Sequence, residues 1–448
     1  MNPVTPDMEA AQPLRAFATT VYEKLTDEED ARACRDIADE ACRETPASFL
    51  LILVGNFLTK VGDAVSNAKT VLPWIMTAVG APVALTAFLV PLRESGSLLP
   101  QLFIAGYVRR LELRKWVWVW GSVMQALCIA GIGLAAASMR GATAGWTIIA
   151  LLALFSLARG FCSVASKDVL GKTVPKAKRG QLNGWSASAA GLVTIAVGGA
   201  LMIAGPAAED ELPYGMMLAA GGALWMLAAL VLAAIREFPG ETGGGANAFS
   251  EAIRSLGLLR SDAAFRRFVI TRALFISSAL AAPYYIVLAQ RHTEASVLLL
   301  GVFVLVGGLA GMLSGPVWGR FSDRSSRKVM LASATITSLA SLTVVGAAWL
   351  APAWLAQIWF LPLSYFVLSI GHDGIRVGRK TYLVDLAGGN RRTDYVAVSN
   401  TAIGIILLAA GVAGAALSAI GVASLILLFA LCGLTGVAIG RGLPEAQD

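Results

Sequence analysis

Twelve stretches of this sequence stay apolar for about 20 residues or more, and no other feature limits the fold as strongly. An α-helix of about 20 residues crosses the roughly 30 Å hydrocarbon layer of a membrane. Backbone amides in hydrocarbon must bond within their own segment, so each stretch has to be a helix. The spans are expected at 48–72, 78–105, 116–137, 144–165, 184–205, 213–235, 267–290, 296–318, 329–350, 353–372, 396–419 and 421–440. A hydrophobic fraction of 56% with 15% charged residues lies outside the soluble range and agrees with that reading. The fold class is therefore an all-α polytopic membrane protein with twelve transmembrane helices.

An even number of spans puts both termini on one side, and loop charges say which. Arg109, Arg110, Arg114 and Lys115 share one loop, and Lys172, Lys176, Lys178 and Arg179 another. Arg320, Arg324, Arg327 and Lys328 form a third group, and Arg379, Lys380, Arg391 and Arg392 a fourth. All four fall on the side of the termini, whereas the opposite loops carry Arg140, Arg291 and the acidic Glu209-Asp210-Glu211. The positive-inside rule makes the first side cytoplasmic, in a cell (inner or plasma) membrane. The net charge of +7 is spread over these loops and offers no single basic face for nucleic acid.

Residues 1–46 read as a cytoplasmic tail without a signal peptide. Thr26-Asp27-Glu28-Glu29 fits a capping box opening a short charged helix over about 27–43. Residues 47–236 hold the first six spans and 267–440 the last six. Between them, 237–266 is a central cytoplasmic linker with the glycine-rich Pro239–Gly245 and a short helix capped by Ser250, and 441–448 is a tail. The cysteines, Cys34, Cys42, Cys128, Cys162 and Cys432, match no metal or redox spacing, and three fall inside apolar runs as small filler.

The first span carries the informative anomaly. Asn56, Lys60, Asp63 and Asn67 recur every three or four residues and so share one helical face. The second span adds Arg93 and Glu94. Ending that helix at Leu92 would leave Leu98–Val108 too short to return across the membrane, so both residues are expected within the bilayer, with a kink at Pro91 or Pro100. Each central charge costs about 2.5–3.5 kcal/mol to insert, so these residues must pair or line a wet cavity. Structural ion pairs are one outcome; a substrate and proton site is the other. In the second reading Glu94 and Asp63 carry protons while Lys60 and Arg93 hold an anionic group. In the second half, Arg272 and Tyr284 on the seventh span are the candidates for the cavity. Tyr365, Ser369, His372 and Asp373 on the tenth are explained equally well by packing.

The chain is also internally repeated. Gly106-Tyr-Val-Arg-Arg-Leu-Glu-Leu-Arg-Lys115 and Gly319-Arg-Phe-Ser-Asp-Arg-Ser-Ser-Arg-Lys328 share the opening glycine and the closing Arg-Lys pair, 213 residues apart. The same offset maps Lys167 to Lys380, Arg179 to Arg392, Gly191 to Gly404 and Gly198 to Gly411. The Gly319 loop resembles the Gly-x-x-x-Asp-Arg-x-x-Arg-Lys signature that follows the second helix of each half in the major facilitator superfamily of membrane transporters. That resemblance implies two pseudo-symmetric six-helix bundles and a cytoplasmic gating loop in each. The second loop uses Gly319, Asp323, Arg324, Arg327 and Lys328, with Asp323 paired to Arg327. The first keeps Gly106, Arg114 and Lys115 but has Arg110 where the aspartate stands. Arg159-Gly160 loosely matches the family's fourth-helix arginine motif. The family's fifth-helix Gly-Pro step is missing from Gly191–Gly205, which argues against drug export.

The expected function is a secondary active transporter of a small polar or charged solute, coupled to protons and working by alternating access as a monomer in the bilayer. The alternatives are a transporter-like receptor or scaffold signalling through residues 1–46, and a multidrug exporter. His292 and His372 sit in no catalytic spacing, so neither an enzyme nor a cofactor or metal is expected.

Overall fold

The structure is a computed structural model describing residues 18–24, 39–204, 212–240, 242, 257–293, 296–386 and 392–445. The expected capping box, the acidic 209–211 loop and half of the central linker lie outside the described residues. Among the described residues the helices group into twelve elements, consistent with twelve membrane spans. In the first half these are α1 (Thr45–Val65 continued by Val71–Ala78), α2 (Val83–Thr86, Leu89–Leu98 and Gln101–Val108), α3 (Lys115–Ser138), α4 (Gly141–Thr173), α5 (Lys176–Ala204) and α6 (Leu212–Ala233). In the second half they are α7 (Ala263–Phe275 and Ser277–His292), α8 (Val297–Ser322), α9 (Ser326–Leu350), α10 (Phe360–Leu386), α11 (Arg392–Leu417) and α12 (Val422–Gly440).

Ten of these are long and apolar enough to cross a membrane by themselves. The other two differ for physical reasons. In α2, Pro82 and Pro100 precede helical segments and Pro91 sits in the first turn of one, because a proline has no N–H to continue the ladder behind it. In α10, the helix continues well past the expected end at 372 and carries Asp373, Arg376, Arg379, Lys380 and Asp385. Likewise α4 runs to Thr173, so Lys167, Asp168 and Lys172 are helical.

Side chains interrupt α1 and α7. At the break in α1, Ser66 Oγ donates to Gly62 O at 2.8 Å and Asn67 Oδ1 accepts from Lys69 N at 2.8 Å. These local bonds compete with the helical ladder. In α7 the break is at Ile276, where Ser278 Oγ donates to Phe275 O at 2.9 Å, seven residues before Pro283.

Within the first half α3 packs on α4 and α6, α1 on α6, and α2 on α4. In the second half α10 packs on α8 and α9, and α12 on α7 and α9. The halves meet through α5 against α8 and α2 against α11, pairs related by the internal repeat. The contacts lie toward the end remote from the termini. A Cβ on Gly198 would fall 2.5 Å from the backbone nitrogen of Leu305, so only glycine allows this approach. At the same end Gln290 Nε2 donates to Trp74 O at 3.1 Å across the halves.

At the termini end, each half is strapped by a glutamate that follows its sixth helix. Glu237 accepts from Lys115 N at 2.6 Å and from Lys172 Nζ at 2.8 Å, while Lys115 Nζ caps Ala233 O and Ile235 O. Glu445 accepts from Ser325 Oγ at 2.9 Å and Arg327 Nε at 3.0 Å, and Arg327 Nη1 also donates to Leu443 O at 2.8 Å. This corrects the expected Asp323–Arg327 pair. Arg327 turns toward the chain after α12, while Asp323 is exposed at the end of α8.

The two straps should differ in strength. The Glu237 side chain is fully buried, with 0% exposure, whereas those of Arg327 and Glu445 are 24% exposed. Glu237→Gln is expected to cost about 2 kcal/mol and Glu445→Gln about 0.5–1 kcal/mol, read as thermal unfolding of the purified chain. Equal losses would contradict this account of the straps. Gly198→Val should prevent α5 from seating on α8 and raise solvent access at the remote end, measured by labelling of a cysteine at Leu305.

Candidate functional site

Asp63 lies near the end of the first α1 segment and faces two arginines. Arg159 of α4 forks onto it, Nη1 to Oδ1 at 2.7 Å and Nη2 to Oδ2 at 3.0 Å. Arg93 of α2 donates Nη2 to Oδ1 at 2.7 Å, and its guanidinium stacks 4.7 Å above the Phe155 ring. These are charge-assisted bonds in planar fork geometry, the strongest polar contacts available to a carboxylate. Lys60 sits one turn before Asp63, within electrostatic reach of Asp63, Arg93 and Arg159. Asn56 instead donates to Ser186 Oγ of α5 at 3.4 Å, tying α1 to α5.

Between the halves lie two adjoining cavities, of about 440 and 450 Å³. They share a wall formed by Ala279 of α7 and by His372, Arg376 and Lys380 of α10. Toward the termini end the lining residues Gly315, Arg376 and Lys380 are exposed; toward the remote end Phe303 and Val304 are buried.

In the first cavity, the break in α1 aims Lys69 across the halves, and its Nζ lies 2.8 Å from His372 Nε2. His372 Nδ1 is 2.9 Å from Ser278 Oγ, which donates to Phe275 O. An ammonium can only donate, so Nε2 accepts, Nδ1 carries the hydrogen, and the bonds run in one direction from Lys69 to Phe275. Asn67 lines the same cavity.

The second cavity is lined by Glu94 of α2, Arg272 of α7, and Arg376, Arg379 and Lys380 of α10. Arg272 is buried and donates to Ser399 Oγ at 2.5 Å and Asn400 Oδ1 at 3.0 Å, which leaves its Nε without a partner among the described residues. Apolar side chains including Leu98, Ile403 and Leu407 complete the wall.

The expected residues thus separate into groups. Asp63 and Arg93 meet in an ion cluster, Asn67 reaches the first cavity, and Glu94 and Arg272 the second. Tyr284 lines neither; it is buried against Phe429 beside a small void that also touches Gly414. Its position on α7 faces α12 and α11 instead of the chamber. Of the gating residues, Arg114 pairs with Asp168 at 3.2 Å, Lys115 holds Glu237 and Arg327 holds Glu445. Gly106 and Gly319 fall in terminal turns of α2 and α8, and Arg324 and Lys328 are exposed.

Lys69, His372, Arg376 and Arg379 were not among the expected site residues. His372, Arg376 and Lys380 follow one another by four, the same helical spacing that singles out the α1 stripe. Ending the tenth span at 372 hides that face.

The comparisons agree with this architecture. The Major Facilitator Superfamily profile matches residues 52–341. No curated protein matches the sequence. Among solved structures, a D-xylose-proton symporter superposes with a TM-score of 0.69 at 14% identity, covering 90% of this chain and 98% of that one. The nucleoside transporter NupG gives 0.68 at 12% identity, covering 89% and 100%. The xylose transporter XylE from E. coli, in an inward open conformation, gives 0.64 at 12% identity, covering 89% and 96%. At such identities the likeness shows the fold alone, but the profile spans well over half of the chain, and this protein belongs to the Major Facilitator Superfamily.

Proposed function

We propose that this secondary transporter carries a small polar or charged solute by alternating access and couples the movement to protons. The observation that carries the reading is the chamber between the halves. It gathers ionisable side chains from α1, α2, α7 and α10 and is closed at one end by the α5–α8 and α2–α11 contacts. A charge inside the membrane is costly, and a cluster of them around a cavity is the mark of a transport path. In this reading the halves rock about the chamber, so that the remote contacts part as the termini end closes. In the same reading the termini are cytoplasmic, which the positive loop charges support, and the chain works as a monomer in a cell membrane.

Asp63 and Glu94 then take different roles. Protonating Asp63 would sacrifice one of its three bonds to Arg93 and Arg159, which makes it a clamp between α1, α2 and α4. Glu94 is exposed in the chamber and makes no hydrogen bond or ion pair through its carboxylate with any described residue, so a proton can come and go without breaking structure. Glu94 is the proton carrier in this scheme.

Glu94→Gln should therefore remove the dependence of solute accumulation on a pH gradient in proteoliposomes while solute exchange continues. Accumulation that still follows the gradient would remove Glu94 from the coupling step. Asp63→Asn should instead destabilise the fold by about 3 kcal/mol, because two arginines lose their common anion, seen as a lower unfolding temperature. A stable Asp63→Asn chain that has lost only coupling would reverse the assignment.

A further inference from the structure

The two cavities are lopsided in charge. Lys69, Arg272, Arg376, Arg379 and Lys380 line them against only two carboxylates, Glu94 and Asp373. Asp373 is already engaged with Arg376 at 3.3 Å. Arg379 and Lys380 make no hydrogen bond or ion pair through their side chains with any described residue. Arg272 rests on two neutral oxygens and keeps a buried Nε with no acceptor among the described residues. Elsewhere in the membrane this chain neutralises its arginines directly, as Asp63 does for Arg93 and Arg159. Of these cations Arg272, Arg379 and Lys380, on α7 and α10, line the second cavity, while Lys69 meets only His372 in the first.

Unmatched cations in a low-dielectric chamber raise its potential, which concentrates anions there and excludes cations. Arginine adds a planar set of donors that fits the paired oxygens of a carboxylate or phosphate. The same cavity is lined by Leu98, Ile403 and Leu407, which belong to one apolar cluster and form a shelf that a bare inorganic ion would leave unused. A volume of about 450 Å³ is in the range of small-molecule sites.

We infer that the transported solute is a small organic anion, its carboxylate or phosphate oxygens held by Arg272, Arg379 and Lys380 and its carbon skeleton lying on the Leu98 shelf. This inference rests on the transporter reading above.

The charge preference of the chamber can be measured without knowing the solute. A cysteine is introduced at Ser369 in one full-length chain and at Leu98 in another, so that a folding failure in one leaves the other. Each is labelled with two methanethiosulfonate reagents of similar size, one bearing a sulfonate and the other a trimethylammonium group. Rates are taken above the background of the parent chain. The sulfonate reagent is expected to react faster by about 10-fold or more, and Arg379→Gln with Lys380→Gln should shrink the ratio to about 3-fold or less. Equal rates, or a faster ammonium reagent, would overturn the anion assignment. The labelling does not depend on turnover. A chain that shows the preference but never accumulates a solute keeps the anion site and loses the carrier reading. One that accumulates solute without the preference keeps the carrier reading and loses the anion site.

Discussion

The cost of a charge in hydrocarbon governs this structure, and the Asp63 cluster is where the chain meets it most directly. One carboxylate satisfies two guanidinium groups from two other helices, with side chains 17–30% exposed, so α1, α2 and α4 are tied at mid-depth. That tie also supports α2, whose three segments, each with a proline at or near its start, lack the continuous ladder of an ordinary span. The broken helix is tolerated because its neighbours hold it, as irregular backbone at membrane depth requires.

The second half solves the same problem differently. On α10 Arg376 has Asp373 beside it, but Arg272, Arg379 and Lys380 form no ion pair with a described residue and face the chamber. The pseudo-equivalent positions make the contrast concrete: the 213-residue offset maps Arg159, which forks onto Asp63, to His372, which joins Lys69 to Ser278. One half therefore has a closed ion cluster and the other an open set of cations lining the chamber. The two ends of the molecule differ as well. Glycine-to-backbone contact seals the remote end, while each half is strapped separately at the termini end by Glu237 or Glu445. Straps within each half leave the halves free to move against one another.

Much of this was legible in the sequence because membrane helices are specified by length and apolarity, and because a repeat of two loop motifs betrays two related halves. The polar stripe of α1 was legible for the same reason: a charge is conspicuous in an apolar run. What was hidden lay where helices extend beyond the apolar stretch. Arg376 and Arg379 look like loop residues by hydropathy, yet α10 continues through them, since the chamber supplies the solvation that lipid would deny. Arg327 stood out in the loop motif but its partner did not, because Glu445 is brought to it by the chain after α12 and no local spacing records that. Tyr284 shows the opposite failure, where a residue type suited to a cavity faces helix packing instead.

The central claim is that the chamber passes from one side to the other by rocking of the halves. It is tested most directly by measuring two spin-label distances across the halves in reconstituted protein, with and without a pH gradient. One pair is placed at Leu113 and Arg324 on the termini end, the other at Ala142 and Ala353 on the remote end. The account predicts that the two distances change in opposite directions, one shortening as the other lengthens. Distances that stay unchanged, or that lengthen and shorten together, would contradict it.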